Sequence, residues 1–216
     1  MLTIAIAKGR LQKEALALLA RAGVRASDEA LATRRLAIED ESGDYRLVFV
    51  KPADVPVYVE HGIADCGVVG RDVLLESEPD LLLPLDLGIG RVRLVVAAPT
   101  AELPADEGML RVATKYPRVA AGYFAAMGIP VEMIQLAGSV ELAPQLGLAD
   151  CIVDLVETGA TLSENGLTIV EEIAESTARL VVNRASYQLK AAAIARLIDA
   201  LGEAVEVGKV EVERKL

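Results

Sequence analysis

The chain has 216 residues, 53% of them hydrophobic, with a net charge of −10 and 3% aromatic residues. An acidic chain with few rings is a poor nucleic-acid binder, and no apolar run approaches the roughly 20 residues of a membrane helix, so we expect neither kind of partner. The single histidine, His61, excludes a multi-histidine metal site. The two cysteines, Cys66 and Cys151, lie in apolar strand-like runs, which indicates buried free thiols.

Strand and helix patterns alternate along the chain, which predicts an α/β fold with mostly parallel strands. The N-terminus is apolar and then basic, which is not the order of a secretory signal, so a cytoplasmic location is expected. The predicted elements, in chain order, are strand 2–7, helix 11–23, strand 45–50, helix 52–62, strand 66–70, strand 91–99, strand 110–114, helix 117–128, strand 131–136, helix 141–147, strand 150–156, a strand-like pattern at 167–176, strand 178–186 and a last helix from about Tyr187 to Leu201.

Several short sequence segments recur within the chain. "GIADCGVV" (62–69) and "GLADCIVD" (147–154) match at five of eight positions, and "RLVV" occurs at both 93–96 and 179–182. "IAIAKGR" and "RVATKYPR" both place a lysine and an arginine after a strand. These matches predict two related lobes, residues 1–92 with 181–216 and residues 93–180, in the architecture of a type II periplasmic binding protein. The "RLVV" strands would cross between the lobes, with a ligand cleft between them.

Ligands of open parallel sheets sit beyond the carboxyl ends of the strands. Lys8, Gly9 and Arg10 follow the first predicted strand. Gly9 permits a tight turn, the helix start offers free N–H groups, and the two cations add charge. This combination favours a phosphate or pyrophosphate site. The alternative is a solvated basic pair at a loop.

The stretch "ADCGVVGRD" (64–72) delivers Gly70 and Asp72 to the same kind of strand end. Gly67 and Gly70 would let a ligand approach the backbone. Asp72 would either contact that ligand or cap the following helix, and the two interpretations are evenly matched. Asp65 and Asp150 precede their strands and are predicted to be turn residues.

The stretch "DLVETGATL" (154–162) ends a predicted strand in a turn that can wrap a phosphate with consecutive N–H groups. It is not a P-loop, because it lacks the GK[ST] sequence. The nearby carboxylates suit this turn if they face sugar hydroxyls or magnesium. A sugar phosphate therefore fits both the turn and the carboxylates. The alternative is a capped helix start beside a chance glutamate. The candidate substrate-binding residues here are Asp154, Glu157, Thr158, Gly159, Ala160 and Thr161.

These residues stand in motifs that resemble the short form of the ATP phosphoribosyltransferase family, and the resemblance covers nearly the whole chain. The long block from Gly138 to Leu167 is the most specific of them. Ala7 is a small departure, since the family often has proline or serine there. The motifs, in family order, are "IAIAKGRL", "KPADVPVYVEHGIADCGVVGRDVLLE", "RVATKYP", "GSVELAPQLGLADCIVDLVETGATLSENGL" and "RLVVNRASYQ".

The resemblance implies a Mg²⁺-dependent reaction in which N1 of ATP attacks C1′ of phosphoribosyl pyrophosphate (PRPP), the first step of histidine biosynthesis. The products would be N1-(5-phosphoribosyl)-ATP and pyrophosphate. The turn at 158–161 would then hold the 5-phosphate, with Glu157 and Asp154 on the ribose. Lys8 and Arg10 would face the pyrophosphate or the ATP phosphates, and Glu141 the ribose or magnesium. The metal ligands stay open.

The resemblance further implies a homodimer or larger assembly with a regulatory subunit resembling histidyl-tRNA synthetase, because the chain leaves no room for the long form's regulatory domain. Two rivals share the expected fold. A solute-binding protein would need a signal peptide, and the sensing domain of a transcription regulator would normally carry a basic helix-turn-helix segment. Fold alone does not separate these three functions.

Overall fold

The structure is a computed structural model that describes residues 1–103 and 108–213, with side chains as far as Gly208. These residues form two compact units. One comprises Met1–Gly90 together with the chain from Thr177 onward, and the other is Arg91–Ser176. In chain order the elements are β1 (Leu2–Ala7), α1 (Gln12–Arg21), α2 (Asp28–Leu31), β2 (Ala37–Glu39), β3 (Tyr45–Val50), α3 (Asp54–Glu60), β4 (Cys66–Gly70), α4 (Arg71–Ser77), β5 (Leu82–Asp86), β6 (Val92–Ala98), β7 (Leu110–Thr114), α5 (Pro117–Ala126), β8 (Val131–Gln135), α6 (Leu142–Gln145), β9 (Cys151–Val156), α7 (Ala160–Glu164), β10 (Thr168–Ser176), β11 (Ala178–Val182), α8 (Arg184–Leu189) and α9 (Ala191–Glu213).

Each unit contains one sheet, and the two sheets have matching topologies. The first has the order β2-β3-β1-β4-β11-β5, and the second the order β8-β7-β9-β6-β10. β1 is parallel to β3 and β4, as β7 is to β8 and β9. β11 is antiparallel to β4 and β5, as β6 is to β9 and β10. Apart from the edge strand β2, the strands correspond one to one, so the predicted α/β class is confirmed and the internal repeat is visible in the topology. The expectation of mostly parallel strands is wrong, because four of the described strand pairs are parallel and five are antiparallel.

The repeated turn before β4 and β9 is the same in both units. Gly62 and Gly147 have φ of 70° and 71°, a left-handed conformation that glycine adopts without strain. The N–H of Asp65 donates to the carbonyl of Thr3 at 2.8 Å, and that of Asp150 to the carbonyl of Arg111 at 2.9 Å. Each turn therefore ties the start of the central strand to its parallel neighbour.

Asp65 has a larger role than the turn residue that the sequence pattern predicts. Its side chain is 7% exposed and accepts hydrogen bonds from the Thr3 N–H at 2.8 Å, Ser186 Oγ at 2.7 Å and Lys190 Nζ at 2.8 Å. Burial opposes ionisation of Asp65, but these donors outweigh it and its pKa is lowered. The carboxylate joins β1 and the start of β4 to α8 and its C-cap residue Lys190, which no local pattern indicates.

The C-terminal helical segment differs from the prediction of one helix between Tyr187 and Leu201. It consists of α8 and the much longer α9. The Asn183 side chain caps α8 by accepting from the Ser186 N–H at 2.9 Å. The hydrophobic pattern of the sequence does not reveal α2, β2 and β5, which are short. β5 contains Pro84 and lies at a sheet edge, the position in which a strand tolerates proline.

The cysteines confirm the expectation of free, buried thiols. Burial raises the pKa of both Cys66 and Cys151 to about 12, so neither thiol is ionised near neutral pH. No helix in the described part of the chain is both long and apolar enough to cross a membrane.

The Asp65 network predicts a large stability loss for Asp65→Ala. Removing the carboxylate leaves three donors without their acceptor, at a cost of about 2–3 kcal/mol in the free energy of unfolding. Because the folded pKa of Asp65 is lowered, this stabilisation is present above the ordinary aspartate pKa and is lost as pH falls through the folded value. Urea denaturation at pH 7, repeated below about pH 4, should show the difference from wild type shrinking in acid.

Asp150→Ala is the matched control. Its carboxylate pairs with Arg111 at 2.6 Å, but the two side chains are 26% and 40% exposed, so water can replace the lost partner. If Asp150→Ala lowered the free energy of unfolding as much as Asp65→Ala does, burial would not be what makes the Asp65 network strongly stabilising.

Candidate functional site

The first candidate segment, Lys8–Gly9–Arg10, lies where β1 meets α1 in the first unit. The Lys8 N–H donates to the carbonyl of Val50 at 2.8 Å, which prolongs the β1–β3 register. Gly9 then turns the chain with φ of 89°. Arg10 Nη1 donates to the carbonyl of Gly90 at 3.0 Å, so this guanidinium is anchored to the last residue before the second unit and is not a freely solvated cation.

Lys8 also lines a cavity of about 140 Å³ whose wall includes Arg34, Arg35, Gln12 and Phe49. Three cationic side chains around one small cavity make it suitable for an anion. The two arginines were missed because they lie between the short elements α2 and β2, which the hydrophobic pattern did not reveal. The adjacent pair "RR" in a chain of net charge −10 is the signal that could have identified them.

The second candidate segment is more closed than expected. Gly70 is the N-cap of α4, and Asp72 is 5% exposed. A methyl group at Gly70 would collide with Asp72 Oδ1, so this carboxylate lies over the Gly70 backbone in the first turn of the helix. Gly67 serves packing, because a methyl group there would lie 2.7 Å from Val55 Cγ1. The expected approach of a ligand to Gly67 is therefore wrong, and contact through Gly70 and Asp72 stays a prediction.

The third candidate segment forms an open turn in the second unit. β9 ends at Val156, and α7 starts after Gly159, whose φ is 87°. Thr158 Oγ1 accepts from the Ala160 N–H at 3.4 Å. The buried side chain of Leu162 anchors α7 on the sheet. The remaining candidates are accessible to a ligand, since Glu157, Thr158, Ala160 and Thr161 are all exposed.

Asp154 stands on β9 just before this turn and is only half-buried. Its Oδ1 accepts from the Leu155 N–H at 2.9 Å. Burial raises the pKa of Asp154, the Leu155 N–H and Lys115 lower it, and Glu141 raises it, so that the net shift is upward. Glu141 and Lys115 thus both act electrostatically on Asp154. Lys115 is not among the candidate residues predicted from the sequence.

Glu141 occupies the N-cap position of α6 and follows Ser139, which has a left-handed φ of 48°. Non-glycine residues rarely adopt this conformation, and such strain is common where a loop is shaped for function. Among the described residues, no group of three or more histidine, cysteine, aspartate or glutamate side chains is arranged to hold a metal.

Comparison with known proteins gives a consistent result. The family model described as "HisG: ATP phosphoribosyltransferase" matches residues 51–203. The chain is 51% identical to an ATP phosphoribosyltransferase of Sorangium cellulosum, over 93% of this chain and 94% of the relative. It is 50% identical to one of Geobacillus kaustophilus, over 95% and 99%. The solved ATP phosphoribosyl transferase (HisG:HisZ) complex from Thermotoga maritima superposes with a TM-score of 0.82 and 40% identity, covering 95% of this chain and 99% of that one.

Periplasmic binding proteins share the fold at low identity. A His/Glu/Gln/Arg/opine family-binding protein from Silicibacter pomeroyi gives a TM-score of 0.63 at 14% identity, covering 98% of this chain and 94% of that one. The aliphatic sulphonate binding protein SsuA from Escherichia coli gives 0.59 at 15% identity, covering 99% and 75%. These likenesses confirm the predicted periplasmic-binding-protein type of architecture and carry no functional argument.

The turn predicts a specific effect of Gly159→Ala. Alanine at a left-handed position costs about 1 kcal/mol of stability and pushes the turn away from its present shape. We expect this variant to lose affinity for ribose 5-phosphate in isothermal titration calorimetry. Gly166→Ala is the control, because Gly166 also has a left-handed φ, 67°, and has no neighbour near its missing Cβ. Equal affinity in the two variants would exclude the turn as the phosphate site.

Proposed function

Because this chain belongs to the ATP phosphoribosyltransferase family, we propose that it transfers the 5-phosphoribosyl group of PRPP to N1 of ATP, the first step of histidine biosynthesis. The products are N1-(5-phosphoribosyl)-ATP and pyrophosphate. The observation in the molecule that best supports this reaction is the exposed turn after β9, which offers backbone donors and hydroxyls directly beside the carboxylate of Glu157. Such a combination suits a sugar phosphate.

In this proposal the 5-phosphate binds the backbone and hydroxyls of Thr158, Gly159, Ala160 and Thr161. Glu157 and Asp154 accept hydrogen bonds from the ribose hydroxyls, which keeps their charge away from the phosphate. Glu141 approaches the ribose from the start of α6. In the first unit, Gly70 and Asp72 stay proposed substrate-binding residues, and Asp72 must leave its position over the Gly70 backbone to make such a contact.

The cations of the first unit suit the other end of the reaction. Lys8 shares its cavity with Arg34 and Arg35, and the nearby Arg10 is held by the Gly90 carbonyl. We assign this group to the pyrophosphate of PRPP or the phosphates of ATP. Charge builds up on pyrophosphate as it leaves, and fixed cations stabilise that charge more in the transition state than in the ground state.

The reaction needs no nucleophile from the protein. Adenine N1 attacks C1′, which develops oxocarbenium character, and the bond to pyrophosphate breaks. Aligning the two substrates supplies at best about 7–11 kcal/mol of the barrier reduction. The residues proposed above therefore act by holding and orienting the sugar, the phosphates and the leaving group.

Magnesium fits this arrangement as an ion carried by the substrate. Mg²⁺ usually binds one or two carboxylates together with substrate phosphates. The described residues provide the carboxylates of Asp154 and Glu141. They contain no cluster of three or more acidic, histidine or cysteine side chains that could hold the ion without the substrate. When bound, the ion would neutralise charge on the pyrophosphate.

The proposed assembly and location follow from the family. The Thermotoga maritima relative is a HisG:HisZ complex, and we propose that this chain likewise works with a regulatory subunit resembling histidyl-tRNA synthetase, as a homodimer or larger catalytic part of a hetero-oligomer. The two free buried thiols support a cytoplasmic location for this assembly.

Turnover tests the reaction directly. Purified protein is mixed with ATP, PRPP, Mg²⁺ and pyrophosphatase, with and without the candidate regulatory subunit, and phosphoribosyl-ATP is followed by UV absorbance. Product in either mixture supports the transferase. Absence of product in both, together with absence of PRPP binding, would favour a binding protein with the same fold.

Two variants test the turn within that assay. Glu157→Ala removes a charged hydrogen-bond acceptor for the ribose, and kcat/KM for PRPP should fall roughly 30-fold, since such a bond contributes about 2 kcal/mol. Thr161→Val removes a neutral donor, and roughly a fivefold loss is expected. The exposed neighbours Glu164→Ala and Thr168→Val are matched controls. Unchanged PRPP affinity in both turn variants would contradict the assignment.

A further inference from the structure

The side chain of Glu14 holds a backbone group of the first unit that lies 76 residues away in the chain. Glu14 is the third residue of α1, a position from which glutamate commonly bonds the N-cap N–H of its own helix. Here its Oε2 instead accepts from the N–H of Gly90 at 3.0 Å. The acid therefore acts on the last residue before the second unit.

The same glycine also anchors Arg10. Arg10 Nη1 donates to the Gly90 carbonyl at 3.0 Å, so two side chains of opposite charge hold the C=O and the N–H of one residue. Arg10 and Glu14 lie four positions apart, which is the spacing of neighbours on one side of a helix. Gly90 is buried against this start of α1, and a methyl group there would lie 2.6 Å from Leu11 Cδ1. This close contact therefore requires glycine.

The Gly90 carbonyl is oriented through the peptide group that precedes it, which is held at both edges. Its C=O, from Ile89, accepts from the Ala178 N–H at 2.9 Å. Its N–H, from Gly90, donates to Glu14. Gly90 has a left-handed φ of 63°, and a glycine backbone rotates more easily than that of any other residue. Without Glu14, one edge of the peptide loses its partner, and rotation at Gly90 would turn the carbonyl away from Arg10.

Arg10 keeps most of its hydrogen-bonding capacity for a ligand. A guanidinium carries several N–H donors in a rigid fork, and the bond to the Gly90 carbonyl engages one of its nitrogens. Arg10 is exposed and follows β1 at its carboxyl end, where ligands of such sheets bind. The Glu14 carboxylate would repel a phosphate. It is therefore suited to orienting the cation and not to touching the ligand.

We propose that Glu14 is a positioning residue for Arg10: it fixes the Gly90 peptide, and the Gly90 carbonyl in turn orients the guanidinium toward a bound phosphate or pyrophosphate group. The identity of that ligand rests on the proposed function, in which Arg10 faces pyrophosphate or the phosphates of ATP. A guanidinium that is already held in place loses less entropy on binding, and it stabilises developing charge without reorganising. Glu14 thus acts through the backbone of a distant segment and makes no contact with the substrate.

Turnover of the full-length protein, in the assay described above, tests this role. Glu14→Ala removes the acceptor, so kcat/KM for PRPP should fall roughly tenfold, and the loss should divide between kcat and KM as it does in Arg10→Ala. Glu14→Gln keeps an oxygen acceptor without the charge and should recover most of the loss. Glu60→Ala is the matched control, because exposed Glu60 likewise accepts from a backbone N–H, that of Asp80 at 2.9 Å. It should leave kcat/KM unchanged.

A double-mutant cycle shows whether Glu14 acts through Arg10. In an Arg10→Ala background, Glu14→Ala should cost less than about twofold more, because no guanidinium is left to orient. A further loss as large as in the wild-type background would overturn the proposal, since Glu14 would then act independently of Arg10. Equal losses in Glu14→Ala and Glu14→Gln would also overturn it, because the charge of Glu14 and not its hydrogen bond would then matter.

NMR relaxation of the substrate-free protein separates this inference from the proposed reaction. The Arg10 Nε–Hε signal, assigned with Arg10→Lys, should show a lower order parameter in Glu14→Ala than in wild type, Glu14→Gln or Glu60→Ala. An unchanged order parameter in Glu14→Ala would disprove the positioning role even if turnover were normal. A lower order parameter, together with a wild-type protein that shows no turnover, would leave the positioning role intact and reject the proposed function.

Discussion

The first unit depends on the buried carboxylate of Asp65, which binds the beginning of the chain to its end. Thr3 belongs to the first strand, whereas Ser186 and Lys190 come from a segment that returns after the whole second unit. Asn183 adds hydrogen bonds from Nδ2 to the carbonyls of Val59 and Glu60. These bonds fix the amino ends of β1 and β4. The carboxyl ends of these two strands carry proposed substrate-binding residues, and they are aligned because the amino ends are fixed.

Much of this arrangement could be predicted from local pattern, because apolar runs and glycines mark strands and turns. The turn after β9 was found in this way, as was the segment after β1. Residues that act across long sequence distances were not found. Arg34 and Arg35 reach the Lys8 cavity from a loop with little pattern of its own, and two partners of Asp65, Ser186 and Lys190, lie more than 100 residues away. Burial of Asp72 likewise needed the fold, since an aspartate at a helix start suits capping and binding equally.

The two units show how one topology supports different chemistry. β4 runs directly into α4 through Gly70, and its aspartate folds back on the backbone. β9 instead ends in a longer turn before α7, and the side chains of that turn face solvent. The strand frameworks correspond, so the difference lies in the few residues after each strand. Function in this fold therefore depends on short connections that the sheets hold in place, and changes there leave the apolar cores intact.

The strand order also has a consequence for synthesis on the ribosome. β11 lies between β4 and β5, yet it is translated after the entire stretch Arg91–Ser176. The second unit therefore has all five of its strands while the first still lacks a central one. During that interval β4, with four of its five residues buried in the finished protein, presents an unpaired edge. Such an edge can pair with other nascent chains. The nascent polypeptide thus passes through a period of aggregation risk that ends when β11, in the last fifth of the chain, emerges.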